Sequence, residues 1–125
     1  MDSFENSSPI YLQIADKIKV RIFGGWLKPG AKLAPVRELA LQERVNPNTL
    51  QRALSELEKE GLIYTQRTNG KFVTEDIELI GELREKYADD LTSEYENKMH
   101  EVGAEVKIPK IIWIQEEVKD EARRV

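Results

Sequence analysis

The stretch Val36-Arg37-Glu38-Leu39-Ala40-Leu41-Gln42-Glu43-Arg44-Val45-Asn46-Pro47-Asn48-Thr49-Leu50-Gln51-Arg52-Ala53-Leu54 decides the fold of this chain. Two helical patterns meet in it across a short turn. In the first, opened by Pro35, the positions Val36, Leu39 and Ala40 face inward. In the second, Leu50, Ala53, Leu54 and Leu57 make one apolar stripe that stops at Gly61. Asn46-Pro47 is a strong start signal, because the Asn side chain caps exposed N–H groups and Pro fits the first turn. The entry of that helix offers Asn46, Asn48, Thr49, Gln51 and Arg52. These amides, hydroxyl and guanidinium match base edges: Asn or Gln for adenine, Arg for guanine, Thr for a thymine methyl or a phosphate. A helix enters the major groove when a neighbouring helix props it from behind. The blander alternative is a solvated helix start, since any such start is polar.

Upstream, Pro9 opens a helix in which Ile10, Ile14, Ile18 and Ile22 recur every four residues, and Gly24-Gly25 closes it. Trp26 to Gly30 reads as a turn with Pro29-Gly30 at its centre. Downstream, the β-prone runs 62–66 and 71–74 flank Arg67-Thr68-Asn69-Gly70, and Asn-Gly predicts a tight hairpin turn. Three helices and one hairpin make the winged helix-turn-helix plan. Arg37 lies one residue into the second helix, and the hairpin tip from Arg67 to Lys71 supplies a second cationic contact beside Gly70. A surface ion pair for Arg37 and a solvated turn for the tip are the competing readings.

From Asp76 a long amphipathic helix is expected, with Ile80, Leu83, Tyr87, Leu91, Tyr95, Met99 and Val102 advancing by three or four until Gly103. Pro109 and the isoleucines after it predict a short last helix within 107–125. The expected fold class is therefore mainly α with a small β-hairpin wing (α+β). Its domains are a DNA-binding domain over 1–75 and a helical dimerisation region over 76–125.

Charge fits this division. The net charge of −4 hides 11 Lys+Arg against 9 Asp+Glu in residues 1–75, and 8 against 14 in 76–125. A balance of +2 permits DNA binding in the first part, while −6 makes the second unsuited to phosphate. Length limits the chain to one domain and an appendage. No apolar run approaches the roughly 18 residues that span a membrane, and Met1 to Ser8 lacks a leader's apolar core. With no cysteine to signal export, the cytoplasm is the default expectation.

Six ordered pieces now carry a resemblance: 9–14 (PIYLQI), 27–33 (LKPGAKL), 36–40 (VRELA), 45–50 (VNPNTL), 57–63 (LEKEGLI) and 70–73 (GKFV). Together they resemble the N-terminal domain of GntR-family transcription regulators over residues 9–74. The resemblance implies operator contacts for Arg37, Asn46, Asn48, Thr49, Arg52 and Gly70, with Lys32 and Arg67 on phosphate. Ala34-Pro35 departs from the usual Pro-Ser or Pro-Pro, and the wing reads Arg-Thr-Asn-Gly-Lys where Arg-Gly-x-Gly-Thr is usual. About 50 residues follow Val73, too few for the large effector domains of most relatives. The chain is thus similar to the YtrA-type subfamily, whose short helical appendage dimerises the protein. Independently, the stripe Leu83, Tyr87, Leu91, Tyr95 and Met99 must bury itself on something, either a second copy or its own domain.

Catalysis finds no constellation. Cysteine is absent and His100 is the single histidine, so neither a nucleophile–base pair nor a His-rich metal site can be assembled. Asp89, Asp90, Glu94 and Glu96 read as a solvated acidic face, and no cofactor is expected. The expectation is a homodimeric, cytoplasmic repressor on a pseudo-palindromic duplex operator. Its rivals are a winged helix used for protein interaction and a sensor binding a small-molecule effector near Tyr87 and Tyr95.

Overall fold

The computed structural model describes residues 8–114. The chain divides into two compact units, one ending at Ile80 and one beginning at Gly81. In the first, helix α1 (Ile10–Phe23) buries Ile14, Ala15, Ile18, Ile22 and Phe23. Ile10, the first member of the expected stripe, lies in the opening turn and stays exposed.

Helix α2 (Val36–Glu43) follows Pro35, which occupies the cap position rather than the first helical one. Only Ala40 is fully buried, while Val36 and Leu39 are half-buried and Leu41 points to solvent. Eight residues make barely two turns, so a helix this short lays one position fully inward. Arg44 then adopts φ 58° and ψ 46°, and Val45 N–H donates to the Ala40 carbonyl at 3.0 Å. This left-handed cap turns the chain sharply into helix α3 (Pro47–Lys59). There Asn46 Oδ1 accepts from Asn48 N–H at 2.7 Å, and Pro47 sits where a missing N–H costs nothing. Leu50, Ala53, Leu54 and Leu57 are all 0% exposed, which makes α3 the helix that both α1 and α2 pack against.

Gly61 closes α3 at φ +83°, a conformation costly for any residue with a Cβ; a Cβ there would also meet Leu79 Cδ2 at 3.0 Å. Strands β1 (Ile63–Gln66) and β2 (Gly70–Val73) pair antiparallel, Ile63 opposite Val73 and Gln66 opposite Gly70. The loop is therefore Arg67-Thr68-Asn69, three residues long, with Asn69 N–H donating to the Gln66 carbonyl at 3.2 Å. Gly70 at φ +104° is the first residue of β2 and not the second residue of a two-residue Asn-Gly turn. Tyr64 and Phe72, directly opposite, stack with ring centroids 5.7 Å apart.

The other edge of β2 is also occupied. Gly30 N–H donates to the Val73 carbonyl (3.0 Å), Val73 N–H to Ala31 (2.8 Å) and Leu33 N–H to Lys71 (2.8 Å). Residues 30–33, of which the sequence places only Gly30 in an element, the end of a turn, thus act as a short third strand segment that covers an open edge.

Helix α4 (Ile77–Glu101) starts where Asp76 Oδ1 accepts from Leu79 N–H at 3.1 Å. Within the second unit its row Arg84, Ala88, Thr92 and Glu96 is half-buried. The chain reverses after Val102, and segment 104–114 lies against that row, with Trp113 under the Arg84 guanidinium at 3.9 Å. Ile108 N–H donates to Glu96 Oε2 at 3.3 Å. The short last helix expected from Pro109 is absent over residues 107–114, which are non-helical. Ile108, Ile111, Ile112 and Ile114 are β-branched and lose rotamer freedom in a helix, so a proline start alone does not carry one. The rest of that expectation, 115–125, lies outside the described residues.

Candidate nucleic-acid interface

The groups expected to face DNA lie on three parts of the first unit. Arg37 is exposed on the first turn of α2. Asn46, Asn48, Gln51 and Arg52 are exposed at the start of α3, with Thr49 half-buried among them. Asn46 commits its oxygen to capping, which leaves its amide N–H₂ as the outward group. Arg67 and Gly70 are exposed on the wing. Lys32 joins them because the bridge between Lys32 and Phe72 brings its side chain alongside; Lys32 Cε lies 3.4 Å from the place a Gly70 Cβ would fill.

Ion pairing sorts the cations of this unit. Lys17 and Arg21 both hold Glu43, at 2.9 and 3.2 Å. Lys19 pairs with Glu60 at 3.1 Å, and Lys59 with Glu56 at 3.1 Å. Among the described residues, no ion pair holds Lys32, Arg37, Arg44 or Arg67. Three of those four cations are ones the sequence assigns to DNA. Arg44 escaped that reading because its place in the inter-helical turn is a matter of backbone geometry rather than residue pattern.

Lys71 behaves differently from a wing-tip cation. Its ammonium donates to Glu58 Oε2 at 3.1 Å and to Thr65 Oγ1 at 2.8 Å, and its side chain is only 16% exposed. Thr65 also donates to Glu58. This trio ties the last turns of α3 to both wing strands, so any phosphate contact by Lys71 has to compete with a bond inside the fold.

Arg52 is held in another way. Its guanidinium carbon lies 4.0 Å from the centroid of the Tyr11 ring, across the α1–α3 contact. The sequence shows Tyr11 and Arg52 on different helices, and no local spacing links them.

Two carboxylates clamp the scaffold. The Lys17 hydrogen bond holds Glu43 below the ordinary 4.5, burial pushes the other way, and Arg21 adds to the lowering. Burial pushes Glu58 up, but hydrogen bonds from Thr65 and Lys71 outweigh it and leave the group lowered. A carboxylate lowered only in the folded state binds fewer protons than its unfolded counterpart. Its stabilisation is complete above the ordinary carboxylate value and is lost as pH falls through the folded one. Thermal midpoints measured from neutral pH down into the acid range should therefore fall less steeply for Glu43→Gln than for the native chain.

In the second unit, Leu83, Tyr87 and Met99 are half-buried, whereas Leu91 and Tyr95 are 52% and 51% exposed. Segment 104–114 covers the row next to theirs. A cleft between α4 and that segment is lined by Ala88, Thr92, Ile108, Pro109, Ile111 and Trp113, and neither Tyr87 nor Tyr95 lines it. No helix among the described residues is long and apolar enough to cross a membrane.

Two helices joined by a tight turn, with a β-wing beside them, define a winged helix-turn-helix protein. Residues 10–73 match the family described as bacterial regulatory proteins, gntR family, and this chain belongs to it. It is 44% identical to the HTH-type transcriptional regulator YhcF of Bacillus subtilis (strain 168), over 82% of this chain and 84% of that one. Identity to the HTH-type transcriptional repressor YtrA of the same organism is 47%, over 56% of this chain and 54% of YtrA. A GntR family transcriptional regulator from Listeria monocytogenes superposes with a TM-score of 0.74 at 38% identity, covering 98% of this chain and 99% of that one. The AraR DNA-binding domain, solved in complex with operator ORR3, is 32% identical with a TM-score of 0.51, over 53% of this chain and 80% of that one.

Proposed function

We propose that this GntR-family regulator is a repressor that binds a pseudo-palindromic duplex operator as a homodimer in the cytoplasm. The observation that carries the reading is the sorting of cations. Among the described residues the exposed Lys32, Arg37 and Arg67 are left without carboxylate partners, while Lys17, Lys19, Arg21 and Lys59 on the same unit are each held by a glutamate. An unpaired surface cation has no ion pair within the fold to break before it meets a phosphate or a guanine edge, so it is available to bind. Asn48, Thr49, Gln51 and Arg52 then read bases from the first turns of α3, and Lys32 and Arg67 fix its register on phosphates. The YtrA relative's name, a transcriptional repressor, and the operator complex of AraR support the same reading.

The homodimer follows from α4. Leu91 and Tyr95 lie beside a row that the chain's own tail covers, and they remain open. A second copy covers them symmetrically. Two α3 helices about 34 Å apart then meet successive major grooves.

Operator affinity of single variants tests the proposal. A duplex selected by the native protein from random-sequence DNA serves as probe. Arg37→Ala and Arg52→Ala are each expected to cost roughly 1–3 kcal/mol of binding in a mobility-shift titration. Unchanged affinity in both variants would reject the contact assignment. Binding without sequence preference at physiological salt would instead favour a protein-interaction role for the winged helix.

A further inference from the structure

The contact between Tyr11 and Arg52 joins α1 to the exposed start of α3, and the scheme above does not use it. Resting on the proposal that Arg52 reads a base, we infer that Tyr11 is a positioning residue for it: the ring fixes the plane of the guanidinium that meets the DNA. The argument rests on which part of the guanidinium each partner occupies. The central carbon lies over the ring, 4.0 Å from its centroid, so the tyrosine covers one side of the cation. The five N–H donors fan out within the guanidinium plane, and a guanine edge needs two of them side by side. Stacking on Tyr11 therefore leaves the reading fork available while it removes rotational freedom from a long, exposed side chain.

Arginine otherwise carries a large rotamer entropy, which has to be lost when the fork docks on O6 and N7. Tyr11 removes much of that freedom before DNA arrives. It can do so because α1 packs directly on α3, and Tyr11 itself is half-buried and set in the second residue of α1. A carboxylate in its place would orient the arginine too, but would occupy the N–H edge that reads the base. An aromatic face is the partner that orients without competing.

The consequence is a link between the first helix and sequence selectivity, through a residue that need not touch DNA. The test uses Tyr11→Phe, Tyr11→Leu and Tyr11→Met in the full chain, each also combined with Arg52→Ala. Binding is titrated on the selected duplex and on its single-base variants, over a series of salt concentrations. Expected results are native behaviour for Tyr11→Phe and a roughly three- to tenfold loss of affinity in Tyr11→Leu and Tyr11→Met. That loss should be concentrated at the base pair whose preference Arg52→Ala abolishes, should leave the salt slope unchanged, and should vanish in the Arg52→Ala background.

Three results would overturn the inference. An equal loss in Tyr11→Phe, uniform over all duplexes, would assign the hydroxyl to a phosphate. A Tyr11→Leu loss that persists unchanged without Arg52 would mean the tyrosine acts only on the fold; thermal midpoints of all variants identify that case, and Tyr11→Met repeats the measurement if Tyr11→Leu melts early. If Arg52→Ala alone changes nothing, the base-reading role of Arg52 falls, and this inference with it. The first two outcomes leave the operator proposal standing.

Discussion

Leu54→Ala should lower the unfolding free energy of the protein by about 2–5 kcal/mol, the range for deleting a buried leucine side chain without collapse of the site. Leu54 is 0% exposed, in the middle of the helix against which α1 and α2 both pack. The missing atoms leave a cavity bounded by helices that cannot close on it without moving the α2–α3 turn. A small domain holds only about 5–15 kcal/mol in all, so this one change removes a large share. At roughly 4–8 °C per kcal/mol, the thermal midpoint should drop by on the order of 10 °C or more. Urea unfolding followed by circular dichroism gives the direct value, and Leu54→Met, which conserves volume, should cost under about 1.5 kcal/mol. A Leu54→Ala loss below 1 kcal/mol would contradict the central place of α3.

The same substitution separates scaffold from interface. Where the variant is still folded, its outward groups are unchanged, and operator affinity should stay near native. Arg37→Ala and Arg52→Ala reverse the pattern, because both side chains lie on the outside. Arg37→Ala leaves the melt unmoved while weakening binding. Arg52→Ala also gives up the stacking on Tyr11, so a small shift in midpoint accompanies its larger loss of affinity.

How much of this could be read in the chain itself follows from the range of each interaction. The helix-turn-helix was legible because its signals are local. Asn46-Pro47 caps a helix by contacts within two residues, and the Leu50, Leu54, Leu57 stripe is a period along one element. The wing was legible as a hairpin for the same reason, but not its loop. Arg67-Thr68-Asn69 and Gly70 fit a two-residue or a three-residue turn equally well, and the Gln66–Gly70 pairing decides between them. Contacts made across the fold left no pattern to find. The edge pairing of residues 30–33 with β2, the tie from Lys71 to Glu58, and the stacking of Arg52 on Tyr11 each join separate elements. Lys71 shows the practical consequence: by composition it is one more basic residue near a wing tip, and only the fold reveals that its charge is engaged. Over residues 107–114 the helix expected from Pro109 does not form, because a proline states where a helix can start, not whether the isoleucines after it prefer to continue one.

Leu91→Glu should abolish the dimer proposed for α4. Leu91 lies in the exposed part of the stripe that also includes Leu83, Tyr87, Tyr95 and Met99, and in the chain alone it is 52% exposed. Exposure in one copy is what makes the substitution informative, since a glutamate there is solvated and leaves the folded monomer intact. Pairing two copies would bring two carboxylates out of water near a symmetry axis. Each carries an effective penalty of several kcal/mol, with like charges repelling besides. A penalty of about 4 kcal/mol already raises a dissociation constant roughly 1,000-fold. Sedimentation or light scattering at micromolar concentration should then report a monomer whose helix content and melting of the winged-helix unit are native. Operator binding should weaken steeply as well, because two half-sites held together gain an effective concentration that one half-site lacks. The variant's remaining affinity should match that of the native protein for a single half-site. A variant that still sediments as a dimer would move the seam off this stripe, onto the face where Ile112 and Ile114 of the tail also stand exposed.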